Sequence, residues 1–158
     1  KNSNFDDIVD KLTQLGVDEI TPVESRHVIV KLDDKKKEQR YLRWRKIATS
    51  ASQQCQRNRI PVINKVKKFA EVVCDPKAYD LKLIPTLPAK KLSLSSVLKK
   101  HVPKQIIILI GPEGDFSDDE ISLAVRNGFL PVSLGDLVLR VETAAVAVAS
   151  FLMLNEDL

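Results

Sequence analysis

The chain is poor in cysteine, histidine, aromatic residues and long apolar runs, and each shortage excludes a class of protein. Its two cysteines, Cys55 and Cys74, lie far apart with no second pair and no histidine cluster among the two histidines. Neither a zinc site nor a disulfide framework follows, no metal is expected, and a reduced, cytoplasmic setting fits best. Aromatics make up 5% of the chain, too few to build the stacking platforms of single-strand binders. The longest mostly apolar stretch, Ala144 to Leu154, is too short to span a bilayer, and no signal peptide opens the chain, so a soluble protein with no membrane partner is expected. What is present is 158 residues, 44% hydrophobic and 29% charged, with a net charge of +4 and a pI near 9.1. That composition excludes wholesale disorder and is compatible with an anionic partner. The length suits one domain that buries roughly 70% of its unfolded surface.

Phe5, Ile8, Val9, Leu12 and Leu15 recur at helical spacing, with Ser3 or Asn4 as the cap and Gly16 at the left-handed position that ends a helix. Glu19 to Val23 and Val28 to Leu32 read as strands. Asp33 to Arg40 reads as a solvated turn entering a helix from Tyr41 to Gln56, on which Trp44, Ile47, Ala48, Ala51 and Cys55 share a face. Val66 to Val73 reads as helix, Asp80 to Ile84 as strand and Ser95 to His101 as a short helix. Leu130 to Leu134 reads as a further strand, broken by Gly135. This alternation predicts an α/β fold with a largely parallel sheet.

The most informative stretch begins at Gln105. Gln105 to Ile110 reads as a fully buried strand that runs into Gly111-Pro112-Glu113-Gly114, and Ser117 and Glu120 then form a capping box for a helix. Glycines there admit a ligand to the backbone, or they simply make a tight strand-to-helix turn. Near the C-terminus, Glu142 to Leu154 is a helix apolar almost all round, which must be covered on both sides. A second copy of the chain is the favoured cover, and burial within the monomer is the other solution.

Ile-Gly-Pro-Glu-Gly at 110 to 114, then Phe-Ser and an acidic cap, Ser-Leu-Gly, Leu-Arg and Glu-Thr-Ala together resemble the signature of the RsmE-type ribosomal RNA uridine-N3 methyltransferases of the SPOUT superfamily. The resemblance continues upstream through Leu15-Gly16-Val17, Arg26, Arg43 to Ala48, Gln54-Cys55 and Arg57 to Pro61, so it covers nearly the entire chain. It implies a SPOUT-type α/β methyltransferase domain over residues 1 to 158, with helices on both faces of the sheet and a C-terminal trefoil knot. The N-terminal RNA-binding barrel usual in that family is expected to be absent from this chain.

The resemblance further implies S-adenosylmethionine as cofactor and ribosomal RNA as substrate, while the homodimer through the last helix is expected from that helix's apolar surface. It assigns the cofactor to loops at Ile84-Pro85, at Gly111 to Gly114 and at Leu134, Gly135, Leu139 and Arg140, with Thr143 and Ala144 at the wall. The residues agree, since Leu134, Leu137 and Leu139 can enclose a flat apolar face. Arg140 suits stabilisation of charge developing on the uracil, and Glu113 or Glu142 suits acceptance of its proton. For Glu142 a purely structural role in a first helical turn, paired with Arg140, is the favoured reading. Arg26, Arg43, Arg57 and Arg59 are candidate phosphate contacts. The competing reading is a knotted module that binds RNA or dimerises without catalysis. Asp115, Gln53 and Gln56 depart from the family, where glycine, glutamate and glycine are usual, and Val141 stands where threonine is common.

Overall fold

The computed structural model describes residues 4–26, 33–75, 77–86, 92–99, 103–112 and 115–154. The strand expected over Val28 to Leu32 lies outside them. In chain order the elements are α1 (Asn4–Gln14), β1 (Glu19–Ile20), β2 (Val23–Glu24), α2 (Asp34–Gln54), β3 (Val62–Ile63), β4 (Lys67–Lys68), α3 (Phe69–Val73), β5 (Leu81–Pro85), β6 (Leu92–Ser93), α4 (Leu94–Leu98), β7 (Ile106–Ile108), α5 (Asp118–Arg126), β8 (Leu130–Ser133) and α6 (Val141–Leu154). They fall into two compact units. The first holds the described residues up to Glu24, those from 33 to Lys67, and α6 from Glu142 onward. The second holds residues 25–26 and Lys68–Val141.

In the first unit, Val9, Ile20, Trp44, Ala48 and Ile63 form a buried cluster, with Phe5, Leu12, Tyr41 and Ile47 packed against it. Asp6 locks α1 to α2: its buried carboxylate accepts from the Trp44 indole at 3.1 Å and from Arg43 Nε at 2.9 Å. The strand expected over Glu19 to Val23 is divided in two, because β1 runs parallel to β3 while β2 pairs with β4. Pro22 stands at the division, and its carbonyl accepts from Lys67. The charge run after residue 33 is a second correction. It is helix, not turn, and Asp33 caps it by accepting from the Lys36 N–H at 2.8 Å. Its lysines, glutamate, glutamine and arginine are good helix formers, so a polar exposed surface does not prevent them from extending α2 by two turns.

The second unit is built on a four-stranded sheet in the order β6-β8-β5-β7, parallel throughout. β5 is central, and Leu81, Leu83 and Ile84 are buried in it. By contrast, Ile106, Ile107 and Ile108 of β7 are half-buried. The expectation of a fully buried strand is corrected here, since among the described residues β7 is the outer strand and has a neighbour on one side only. The helix expected over Val66 to Val73 shortens to α3, preceded by β4. The Phe69 ring packs on Phe116 with centroids 4.9 Å apart.

On α6 the buried residues are Ala144, Ala145, Val148 and Ala149, one helical stripe. Much of the rest, including Ala147, Met153 and Leu154, is apolar and exposed. No helix among the described residues is long and apolar enough to cross a membrane.

Candidate functional site

Three adjacent parallel strands end on the same edge of the second unit. β5 pairs with β7 through Leu83 and Ile108, and with β8 through Pro85 and Val132. Continuing both registers places Thr86, Gly111 and Ser133 level with one another, at the carboxyl ends where parallel α/β sheets bind ligands. The loops that follow these strands contain the cofactor positions expected from the sequence.

After β5, Ile84 is fully buried, so its side chain belongs to the core. Pro85 is half-buried. The next residue, Thr86, is 9% exposed, and its hydroxyl oxygen has no hydrogen-bond partner among the described residues. The sequence reading stopped at Pro85 and missed it. The available signal was a hydroxyl residue directly after the strand and its Pro85.

After β7, Gly111 and Pro112 are half-buried, while Glu113 and Gly114 lie outside the described residues. Asp115 adopts the left-handed conformation, φ 61°. Its N–H donates to the Pro112 carbonyl at 2.9 Å, and its Oδ1 accepts from the Phe116 N–H at 2.8 Å. An aspartate tolerates this conformation because its short side chain can bond the local backbone. A Cβ at Gly111 would sit 3.1 Å from Asp115 Oδ1 and 3.4 Å from the Phe116 ring. The missing side chain at Gly111 thus serves the turn's own packing. The capping box forms as expected: Ser117 Oγ accepts from the Glu120 N–H at 3.3 Å, and Glu120 Oε2 accepts from the Ser117 N–H at 2.9 Å.

After β8, Gly135 has φ 125°, a conformation only glycine adopts readily. The Ser133 hydroxyl holds this bend, accepting from the Gly135 N–H at 3.1 Å. Leu134 and Leu139 are half-buried and Arg140 is exposed. Leu137 and Val138 are 79% and 71% exposed, an apolar pair presented to solvent beside that bend.

In the first unit, Thr143 is exposed and Ala144 buried at the start of α6. Glu142 Oε2 is buried without a partner among the described residues, so this oxygen makes no pair with Arg140.

The four arginines are distributed differently. Arg57 is a clamp for the end of α1: one guanidinium nitrogen donates to the Thr13 carbonyl at 2.8 Å and the Val17 carbonyl at 3.0 Å, and its side chain is 16% exposed. Arg43 is paired with the buried Asp6 carboxylate. In the second unit, the Arg26 N–H donates to Glu120 Oε1 at 2.8 Å, and its guanidinium pairs with Asp119 on the surface. Arg59 is exposed.

Comparison with known proteins supplies the family. Ribosomal RNA small subunit methyltransferase E of Synechocystis sp. is 34% identical over 99% of this chain and 52% of its own length. The protein of the same name from Mesomycoplasma hyopneumoniae is 36% identical over 92% of this chain and 62% of its own. Among solved structures, a methyltransferase of Legionella pneumophila in complex with S-adenosylmethionine is similar over 98% of this chain and 62% of its own, with TM-score 0.89 and 37% identity. The Neisseria gonorrhoeae ribosomal RNA small subunit methyltransferase E, bound to S-adenosylmethionine, covers the same shares at TM-score 0.87 and 29% identity. The chain spans about half to three-fifths of the length of these proteins. The model of the RNA methyltransferase domain matches residues 1–153, through both compact units, and the chain therefore belongs to the RNA methyltransferase domain family.

Proposed function

We propose that this chain is the catalytic domain of an S-adenosylmethionine-dependent methyltransferase that modifies N3 of a uridine in small-subunit ribosomal RNA. The observation that supports it most is the likeness, over 98% of the chain, to a methyltransferase with S-adenosylmethionine bound. The second unit fits that cofactor in kind. It offers an unpaired buried hydroxyl at Thr86 and exposed apolar side chains at Leu137 and Val138. Small-molecule sites combine such apolar walls with a few placed polar groups.

In this reading Pro85, Thr86, Gly111, Gly114, Leu134, Gly135 and Leu139 hold the cofactor, with Thr143 and Ala144 at the start of α6. Bound S-adenosylmethionine supplies a methyl group already activated on a sulfonium. The chain's own residues align the uracil, stabilise the charge that develops as N3 loses its proton, and receive that proton. Arg140, exposed and always charged, takes the second role. Glu142, with a buried unpaired carboxylate oxygen, or Glu113 takes the third. Arg59 is the leading phosphate contact, and Arg26 is a further candidate. Arg57 and Arg43 support the RNA face by holding α1 and α2. The remaining parts of the proposal are a C-terminal trefoil knot and a homodimer through the exposed apolar side of α6.

The test is methylation of unmodified small-subunit RNA by this chain, followed by nucleoside analysis. 3-Methyluridine is the expected product, and a different methylated nucleoside refutes the N3 assignment. Failure of the folded chain to bind S-adenosylhomocysteine in calorimetry favours the competing reading, a non-catalytic RNA-binding or dimerisation module.

A further inference from the structure

We infer that the Thr86 hydroxyl is a ligand-contacting group, which hydrogen-bonds S-adenosylmethionine in the second unit; this rests on the methyltransferase reading above. Four buried side-chain oxygens lack a partner among the described residues: those of Ser25, Ser52, Thr86 and Glu142. Ser52 lies inside α2, where a serine hydroxyl has its own helix backbone within easy reach. Ser25 immediately follows β2 and precedes Arg26, whose N–H is bonded to the α5 cap residue Glu120, and Glu142 already has a place in the reaction. Thr86 directly follows the central strand, at the carboxyl end of the sheet.

Its setting points the same way. The Thr86 N–H is already engaged, donating to the Val132 carbonyl at 3.2 Å, so the ladder with β8 uses the backbone and leaves the side chain unused. Strand alternation puts Lys82, Ile84 and Thr86 on one face. At the amino end of that face the Lys82 ammonium donates to the Asn127 carbonyl at 3.3 Å and lies over the Phe129 ring. Ile84 is fully buried. The face is therefore satisfied up to Thr86 and unsatisfied at it. A buried hydroxyl without a partner is costly to fold, and valine would fill nearly the same volume without that cost. Threonine is β-branched, so its hydroxyl is also held in few rotamers, ready for a partner that arrives after folding. The hydroxyl both donates and accepts, which suits a cofactor rich in hydroxyl, amine and carboxylate groups.

The experiment compares wild type, Thr86→Val and Thr86→Ser in calorimetric titrations with S-adenosylhomocysteine, alongside thermal unfolding without ligand. Thr86→Val is expected to unfold at the same or a higher temperature and to bind about tenfold more weakly, equivalent to about 1.4 kcal/mol. Thr86→Ser keeps the hydroxyl and is expected to bind within about threefold of wild type, below that tenfold step. Thr86→Ala repeats the measurement should the valine variant fail to fold. Wild-type affinity in a folded variant without the hydroxyl overturns this inference and leaves the methyltransferase reading standing. Absence of binding by the wild-type chain refutes both.

Discussion

Replacing Gln56 with glycine is expected to stabilise the first unit. Three described helices end in the same pattern, in which a left-handed residue follows the cap and two N–H groups return to the last turn. At α1 and α5 that residue is Gly16, φ 84°, and Gly128, φ 86°. At α2 it is Gln56, φ 59°, with its own N–H donating to the Gln53 carbonyl at 3.3 Å and the next, from Arg57, to the Ser52 carbonyl at 3.1 Å. A side chain in this conformation costs about 1–2 kcal/mol, and glycine's greater freedom in the unfolded chain offsets roughly 0.5–1 kcal/mol of that. The net gain of Gln56→Gly is thus about 1 kcal/mol, or about 2–4 °C in melting temperature for a chain of this size. Trp44 is the only tryptophan and is buried in the same unit, so its fluorescence follows the relevant transition in urea and on heating. Gln56→Ala keeps the unfavourable backbone and should leave the midpoint where it is. Gly16→Ala, which meets no atom within 4 Å, should lower it through the backbone alone. A Gln56→Gly midpoint equal to or below wild type would refute the reasoning.

The two arginines that flank Asn58 should separate cleanly. Arg57→Met removes charged hydrogen bonds to two backbone carbonyls and is expected to cost about 1.5–3 kcal/mol in urea unfolding. Arg59→Met should change stability by less than about 0.5 kcal/mol while reducing the salt dependence of RNA affinity by about one charge; equal losses of stability would contradict this division. Asp33 carries a pH dependence. Its bond from the Lys36 N–H, aided by the Lys36 charge, holds the carboxyl below its ordinary value. The ionised cap therefore contributes stability above the unfolded-state value, and that contribution is lost as pH falls through the lowered folded value. The gap in urea midpoint between wild type and Asp33→Ala should narrow in acid, below about pH 4, and a gap constant across that range would count against the assignment.

Features made by residues a few positions apart were legible in the sequence. The glycine that ends α1, the Ser117 and Glu120 capping box and the apolar spacing of Trp44 and Ala48 each rest on contacts within a turn or two, and each formed. The start of α2 was misread because helix propensity in a charged, exposed run leaves no apolar periodicity to detect. The burial of β7 was misread because an apolar strand does not disclose whether it lies at the centre or the edge of its sheet.

Tertiary structure decided what those pieces meet. The order β6-β8-β5-β7 sets the ends of β7 and β8 on either side of the end of β5, which Thr86 follows. The cap residue Glu120 also accepts from the Arg26 N–H, 94 positions away, and Arg57 closes the end of α1 across 40 residues and more. Local composition determines whether a segment is helix or strand and where it stops. Which strands become neighbours, and therefore which hydroxyl is left without a partner at their ends, depends on burial and backbone pairing summed over the whole unit, and no short window of sequence contains that sum.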